Sequence, residues 1–312
     1  MHKIEQWLEA LGCHGRLKSI SGDASFRRYY RLYETNLKSV VIMDASLQKE
    51  SLKPFIDITS RLHHANVRVP RIIAQNPDDG VLMLEDMGSR HLIESLNENT
   101  CEPLYSKAID AIIKIQNADT QGLPVYDEAF LYFEMELMQE WYLQKYLHQK
   151  IDSADKKMIA DTLAYIASEV LAQPQGVFVH RDFHSRNLML SCEEEIIVID
   201  YQDARVGPIT YDLVSLLRDC YVAFDAKTVE KLALSFRDKK GLDADDAVFM
   251  RWFDFMGLQR HIKVLGIFSR LSLRDGKNGY LKDIPLTLQY ILNIAKKYDQ
   301  TQALAQLLEK TA

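Results

Sequence analysis

The first ninety residues carry hydrophobic positions in the short runs that favour β-strands. Residues 26–33 and 39–44 are rich in β-branched and aromatic side chains, and turn-forming residues separate them. Residues 48–64 place apolar side chains at helical spacing instead. A turn over residues 76–80 then leads into the apolar strand 81–84. The pattern predicts a small β-rich segment that contains one helix.

Beyond Gly88 the apolar positions repeat mostly at helical spacing. The predicted helices lie within residues 104–115, 130–141, 154–172 and 252–265. Short apolar strands interrupt this pattern at 177–179, 188–190 and 196–200. The predicted fold class is therefore α+β, with one domain over residues 1–88 and a larger, mostly helical one over residues 89–312.

Composition places the chain among ordinary globular proteins, because 47% of its residues are hydrophobic and 26% are charged. A formal net charge of −6 argues against a nucleic-acid binder, which needs a basic face. The four cysteines are scattered, as expected of thiols in a reducing compartment. No apolar run approaches the ~20 residues of a membrane helix. We expect a cytoplasmic protein without a membrane segment, and no feature indicates an obligate protein partner.

Residues 180–200 contain the side chains with the clearest chemistry. Asp182, Asn187 and Asp200 follow or flank very apolar short strands. Phosphoryl transfer needs a carboxylate near the attacking hydroxyl and oxygen ligands that hold Mg²⁺ against the nucleotide phosphates. The spacing therefore predicts Asp182 as the catalytic base and Asn187 and Asp200 as Mg²⁺ ligands in an ATP-dependent enzyme.

Other interpretations of the same region stay open at this point. His180 and His184 have the i,i+4 spacing of a zinc pair, but that needs a helix and a glutamate between them. We expect both histidines to anchor the loop instead. Asp212 opens an apolar helical stretch, so we expect it to act as a helix cap, a role that does not exclude a second one.

Three ordered motifs resemble those of the aminoglycoside phosphotransferase and choline kinase family. The matching residues are His180, Asp182, His184 and Asn187, then Ile199-Asp200-Tyr201, then Gly207-Pro208 and Tyr211-Asp212-Leu213. The resemblance implies a bilobal protein-kinase-like fold with a small β-rich N-lobe and a larger, mostly helical C-lobe. It also implies ATP and Mg²⁺ as cofactors, and loop support by Asp212.

The candidate nucleotide-binding residues do not form a Walker A motif, which the chain lacks. A turn at residues 21–25 and the arginines after it offer hydroxyl and guanidinium groups to phosphates. The candidates are Ser21, Ser25, Arg27 and Arg28. Kinases of this fold place a lysine on the third strand, where this chain has Met43. Either Arg27 or Arg28 substitutes for it, or nucleotide binding is weak.

The resemblance implies two further features of the nucleotide site. The helical carboxylate that would pair with the third-strand lysine corresponds to Asp57 or Glu50. The segment between the lobes, with Glu85 and Met87, is expected to pair with adenine through its backbone.

A narrower set of segments is similar to the bacterial anomeric kinases of N-acetylmuramate and N-acetylglucosamine. These segments are residues 22–31, 41–45, 84–88, 200–204 and 207–215. The likeness implies phosphorylation of the anomeric hydroxyl of a small-molecule sugar in peptidoglycan recycling. Gln202, Asp203 and Arg205 follow the metal-ligand strand directly and are candidate sugar contacts, with a solvated loop as the alternative.

Two other functions remain alternatives. An aminoglycoside kinase needs a carboxylate-lined cleft, which Glu134, Glu136 and Glu140 could supply, although acids on an amphipathic helix usually form its solvated face. The missing lysine also suggests a non-catalytic pseudokinase that serves as a binding module. The presence of Asp182, Asn187 and Asp200 argues against that alternative.

Overall fold

Strands and helices form largely where the hydrophobic pattern predicts them. The computed structural model describes residues 2–20, 27–34 and 39–311. Within them the strands are β1 (Gly15–Ile20), β2 (Arg28–Glu34), β3 (Val40–Asp44), β4 (Ile72–Asn76), β5 (Val81–Glu85), β6 (Val177–Val179), β7 (Leu188–Leu190), β8 (Ile196–Val198) and β9 (Arg205–Gly207). The α-helices of the same ranges are α1 (His2–Ala10), α2 (Leu52–His64), α3 (Cys101–Ile115), α4 (Glu128–Leu137), α5 (Ser153–Ala172), α6 (Tyr211–Leu217), α7 (Ala226–Lys240), α8 (Asp246–Asp275), α9 (Ile284–Ala295) and α10 (Asp299–Glu309). Ser21 and Ser25, the predicted phosphate-binding serines, lie outside the described residues.

The chain forms two compact units, and each consists of two separate stretches. The first unit is Met1–Leu92 with Asn187–Asp203, and the second is Ile93–Arg186 with Ala204–Ala312. The later stretch of the first unit contains the β7–β8 hairpin. Its backbone bonds to the earlier stretch, because the Leu190 amide donates to the Arg90 carbonyl at 3.0 Å and the Val198 amide to the Arg68 carbonyl at 2.9 Å. The two predicted domains, in contrast, were each one continuous stretch.

The first unit contains a five-stranded antiparallel sheet in the order β1-β2-β3-β5-β4. Helix α1 buries Ile4 and Leu8 against one face of this sheet. The strand residues buried with them are Leu32, Ile42, Val81 and Met83. Because side chains alternate along a strand, the residues between these positions point to the opposite face. Tyr29 and Met43, which lie opposite each other in the β2–β3 register, belong to that second face.

The second unit is organised around the long helix α8. Apolar residues occur on all sides of this helix, which is the pattern of a helix buried in a core. It begins after the N-cap Asp245, whose side chain accepts from the Val248 amide, and ends at Gly276 in the left-handed conformation. Gly266 permits close packing, because a Cβ there would lie 2.3 Å from the carbonyl carbon of Leu137.

The predicted helix over residues 130–141 changes its character along its length. It is α-helical to Leu137 and π-helical over Met138–Tyr146. Among the described residues, none of the helices combines the length and the apolar character that a membrane crossing requires.

Candidate active site

The loop between β6 and β7, residues 180–187, holds the predicted base. It contains no helical turn, so the interpretation of its histidines as an i,i+4 zinc pair is wrong. His180 is buried, and its Nδ1 accepts from the Asp182 amide at 3.2 Å. The His184 ring packs edge-on against Tyr221, with centroids 5.1 Å apart.

A buried carboxylate fixes the backbone at the start of this loop. Asp212 accepts the amide of His180 at 2.8 Å and that of Arg181 at 3.0 Å. The N-cap of α6 is Thr210, so the prediction of Asp212 as a helix cap is wrong. Burial raises the pKa of the Asp212 carboxyl to about 6, although His180 and the two amide donors act in the opposite direction.

A second buried carboxylate holds the middle of the loop. Asp219 accepts from the Ser185 amide at 2.9 Å and from the Ser185 hydroxyl at 2.5 Å. Asp219 could not be predicted from the sequence, because an aspartate after a short helix carries no local signal of such a role.

Arg181, directly before the predicted base, has a left-handed backbone with φ of +81°. For a bulky residue this conformation costs on the order of 1–3 kcal/mol and persists only where the surroundings enforce it. Its Nε donates to the Tyr126 hydroxyl at 2.8 Å, and its Nη2 donates to Glu134 at 2.7 Å. Two acceptors therefore hold the Arg181 guanidinium in place.

Glu134 is the centre of a buried polar group that we call the Glu134 cluster: Tyr126, Glu134, Arg181, Gln259 and Lys263. The Lys263 ammonium lies 3.1 Å from Glu134 Oε1, and Gln259 donates to Oε2 at 3.1 Å. Glu134 is only 3% exposed, so its prediction as part of a solvated or substrate-facing acidic row is wrong. The other two acids of that row, at positions 136 and 140, are exposed.

The charges around the loop keep the Asp182 carboxyl ionised. Burial alone would raise its pKa, but the electrostatic influence of Lys263, His184 and Arg181 outweighs burial and holds the pKa below its ordinary value. At neutral pH Asp182 is therefore a hydrogen-bond acceptor, as needed to orient a hydroxyl group.

The two predicted Mg²⁺ ligands lie together in the first unit. Asn187 Nδ2 donates to Asp200 Oδ2 at 3.2 Å, and Gln202 Nε2 donates to Asp200 Oδ1 at 3.0 Å. The side chain of Asp200 is exposed, and its backbone is left-handed with φ of +63°. Mg²⁺ prefers carboxylate and amide oxygens together with substrate phosphates, and a turn of the Asn187 amide would present its oxygen beside Asp200. The donor set fits the ion.

Neither β3 nor α2 places a charged side chain where the family has its lysine and the carboxylate that pairs with it. Met43 is fully buried on β3. Asp57 does not form the expected pair, because it is exposed and bonded to Arg61 on its own helix at 2.9 Å. The buried face of α2 includes Phe55 and Thr59. The Phe55 ring stacks on the Tyr201 ring with 5.2 Å between centroids, and the Thr59 hydroxyl is hydrogen-bonded to the Tyr201 hydroxyl at 2.9 Å. The alternative carboxylate, at position 50, is exposed in a 3₁₀ turn.

The two candidate phosphate-binding arginines have different surroundings. Arg28 Nη2 lies 2.8 Å from Asp44 Oδ2, which is buried at the end of β3. Arg27 is itself buried, donates to the Ser51 carbonyl at 3.4 Å, and has its guanidinium 5.8 Å from the Phe55 ring centroid.

The predicted adenine-binding segment is fixed by arginines. Glu85 accepts from Arg68 at 2.7 Å and Arg71 at 3.1 Å, and the Arg68 bond contributes most to lowering the pKa of Glu85 to about 2. The Glu85 amide already donates to the Arg71 carbonyl at 2.8 Å. Asp86 accepts both Nε and Nη2 of Arg31, at 2.6 and 2.9 Å. Met87 follows as a half-buried residue.

The three candidate sugar contacts divide between the units. Gln202, bonded to Asp200, and the exposed Asp203 belong to the first unit. Arg205 belongs to the second unit, where its guanidinium lies 3.6 Å from the Phe130 ring centroid and donates to the Val125 carbonyl at 3.3 Å.

Comparisons with known proteins show the family to which the chain belongs. The model of the "Phosphotransferase enzyme family" matches residues 16–245. The chain is 40% identical to the N-acetylmuramate/N-acetylglucosamine kinase of Pseudomonas aeruginosa, over 92% of the chain and 86% of that protein. It is 36% identical to the protein of the same name from Neisseria meningitidis, over 98% of the chain and 94% of that protein.

Solved structures show the fold. Choline kinase LicA from Streptococcus pneumoniae has a TM-score of 0.67 at 11% identity, covering 94% of this chain and 98% of its own. The ADP-bound aminoglycoside phosphotransferase APH(2'')-Ib has a TM-score of 0.64 at 16% identity, covering 92% and 97%. These likenesses confirm the predicted α+β, protein-kinase-like fold class.

Proposed function

The chain belongs to the phosphotransferase enzyme family, and from that premise we propose that it phosphorylates the anomeric hydroxyl of N-acetylmuramate or N-acetylglucosamine with ATP. The observation that carries this proposal is the identity of 36–40% with two kinases of that name, over more than nine tenths of the chain. The narrower motifs of the sequence support the same sugar class.

In the proposed reaction Asp182 orients the anomeric hydroxyl and receives its proton. The hydroxyl oxygen forms a bond to the γ-phosphorus while the bond from that phosphorus to the bridging oxygen breaks, and ADP leaves with the electron pair. The lowered pKa of Asp182 makes it a weak base before the reaction. That suits a loose transition state, in which positioning matters more than early proton removal.

Asn187 and Asp200 are the residues that would hold Mg²⁺, which supplies charge neutralisation to the transferring phosphoryl group when bound. The hydrogen bond between them and the exposure of Asp200 support the assignment. The nucleotide contacts that we propose are the turn with Ser21 and Ser25, an arginine after it, and the backbone of residues 85–87. Glu85 can contribute little with its amide, which is already bonded.

For the sugar we propose contacts from Gln202, Asp203 and Arg205. Arg205 has the chemistry to bind a lactyl carboxylate while its guanidinium stays stacked on Phe130. A role in peptidoglycan recycling and a cytoplasmic location complete the proposal. The four cysteines, which form no disulfide, are compatible with a reducing compartment.

The alternatives have less support. Glu134 is buried and paired, so an acidic row for a polycationic aminoglycoside loses its first member. A pseudokinase does not need an ionised Asp182 on a loop whose neighbouring residues are bonded by the buried carboxylates Asp212 and Asp219.

The test is a substrate panel with purified protein, Mg²⁺ and ATP, in which ADP release is measured and the phosphorylated position is determined by NMR. We expect a sugar 1-phosphate from at least one of the two sugars. The 1-O-methyl glycoside of N-acetylglucosamine is the matched control, since it lacks the anomeric hydroxyl and should give no product. Turnover of kanamycin with neither sugar accepted would favour an aminoglycoside kinase, and absence of nucleotide binding would favour a pseudokinase.

A further inference from the structure

The third strand of the sheet offers no cation to the nucleotide, because Met43 occupies the position of the usual lysine. We infer that Arg27, and not Arg28, supplies the missing positive charge to the ATP phosphates. The inference rests on the proposed function, since it assigns a residue to the same nucleotide.

The strand register separates the two arginines. Arg28 lies opposite Asp44 and Tyr29 opposite Met43. Tyr30, two residues after Arg28, packs on the α1 side of the sheet. Because side chains alternate, Arg28 shares that side, whereas Arg27 continues the row of Tyr29 on the side of Met43. Arg27 therefore points to the face from which the lysine is missing.

Arg28 is also committed to another partner. Asp44 is only 3% exposed, and besides Arg28 it accepts the Ser46 amide at 3.0 Å. Drawing Arg28 away to a phosphate would leave this buried carboxylate without its counter-charge, which is unfavourable. The structure thus gives Arg28 a role in holding β2 to β3.

The surroundings of Arg27 connect it with the predicted metal ligand. The Arg27 guanidinium lies 5.8 Å from the Phe55 ring centroid, and the Phe55 ring stacks on the Tyr201 ring with 5.2 Å between their centroids. Tyr201 directly follows Asp200 in the chain. A cation in reach of Asp200 is in reach of phosphates that share its Mg²⁺.

The partner of the missing lysine is replaced as well. Phe55 and Thr59 form the buried face of α2, where a carboxylate would have been expected to hold that lysine. The buried residues of α2 include no carboxylate that could pair with a lysine at position 43. An arginine whose guanidinium lies against Phe55 needs no such carboxylate and can bind phosphate oxygens with two parallel hydrogen bonds.

The test measures binding of Mg²⁺-ADP by calorimetry, without sugar, in four variants: Arg27→Met, Arg27→Lys, Arg28→Met and, as control, Arg16→Met on the exposed side of β1. Loss of a charge-assisted contact should make Arg27→Met bind about 10- to 100-fold more weakly. Arg27→Lys should keep part of the affinity, and Arg16→Met should bind as the wild type does. Arg28→Met should lower the melting temperature more than the affinity, because Asp44 loses its partner.

Thermal unfolding of each variant separates lost binding from lost folding, which matters because Arg27 is buried. If Arg27→Met unfolds, a folded Arg27→Lys with weakened binding supports the inference. Wild-type affinity in folded Arg27→Met, or an equal loss in Arg28→Met without a change in melting temperature, overturns it. Mg²⁺-ADP binding without sugar turnover would overturn the proposed substrate and leave the Arg27 comparison valid, whereas a wild type that binds no nucleotide overturns both.

Discussion

The loop that carries the proposed base Asp182, in the second unit, and strand β3, in the first unit, differ in how many buried polar groups they contain. The loop is held by buried carboxylates with several partners each, at Glu134, Asp212 and Asp219. On β3 the position expected to be charged is the fully buried Met43. The ion pairs nearby, such as Arg28 with Asp44, are partly exposed.

The difference follows from how accurately each region has to position its charged group. A single carboxylate that orients a hydroxyl has to be held to within a fraction of an ångström, and satisfied buried networks provide that rigidity. A cation for phosphates has more freedom, because a polyphosphate offers many oxygens that an arginine just before β2, as proposed for Arg27, can reach. The family motif is therefore retained where geometry is strict and altered where the ligand tolerates it.

Replacing the proposed base should change the activity more than any other substitution considered for the loop. Asp182→Ala should lower kcat by about 10³-fold, in the range of general-base contributions, because the hydroxyl loses its acceptor. Binding of Mg²⁺-ADP, measured by calorimetry, should change less than about twofold if Asp182 serves only the acceptor. Asp243→Ala, at an exposed position of the same unit, is the control. Retention of more than a tenth of the activity would remove Asp182 from the mechanism.

The next prediction concerns the Glu134 cluster. Glu134→Gln leaves Lys263 and Arg181 without their negative partner, so the free energy of unfolding in urea should fall by about 3 kcal/mol. The turnover rate should fall as well, since Arg181 loses one of the contacts that enforce its strained backbone. Glu136→Gln, two residues along the same helix and exposed, should change neither quantity. Equal stability of both variants would show that the cluster does not hold the loop.

A smaller effect should come from the titration of Asp212, which makes the activity depend on pH. The pKa of Asp212 is raised to about 6, so the folded protein protonates it below pH 6, where it bonds the amides of His180 and Arg181 more weakly. Because the folded pKa is the higher one, the contribution of Asp212 to folding stability is fully present below pH ~4 and is lost as the pH rises through 6. Activity should change in the opposite direction and fall on acidification.

Asp212→Asn tests this, because the amide does not titrate. The ratio of variant to wild-type kcat should rise a few-fold between pH 7 and pH 5, and taking a ratio removes the titration of the nucleotide itself. A ratio that stays constant over this interval would exclude Asp212 as the titrating group.

The sequence predicted the elements that have strong periodicity. Strands β2, β3 and β5 and the helices α2, α3 and α5 lie where the patterns place them. Strands β1 and β4 were missed because they lie at the sheet edges and neither contains a fully buried residue. The burial of β4 alternates, but its sequence Ile-Ile-Ala-Gln-Asn does not alternate between apolar and polar residues.

For the site, only the residues within one local motif could be predicted from the chain. The spacing of Asp182, Asn187 and Asp200 predicts their roles as base and metal ligands. The Glu134 cluster was not, because Gln259 is 125 residues away from Glu134 and only the packing of α8 against α4 brings them together. Nor could alternation alone separate Arg27 from Arg28, since that needed the register of β2 on β3.

The β7–β8 hairpin, finally, has a consequence for how the protein is made. Residues 1–92 leave the ribosome well before residues 187–203, which belong to the same unit. The Arg68 and Arg90 carbonyls can meet their hairpin partners only after the intervening stretch has been synthesised. The first unit is therefore completed only by a late segment, which also carries Asn187 and Asp200, the proposed Mg²⁺ ligands. A chain stopped before residue 187 contains the five strands of the sheet but neither the hairpin nor these two side chains.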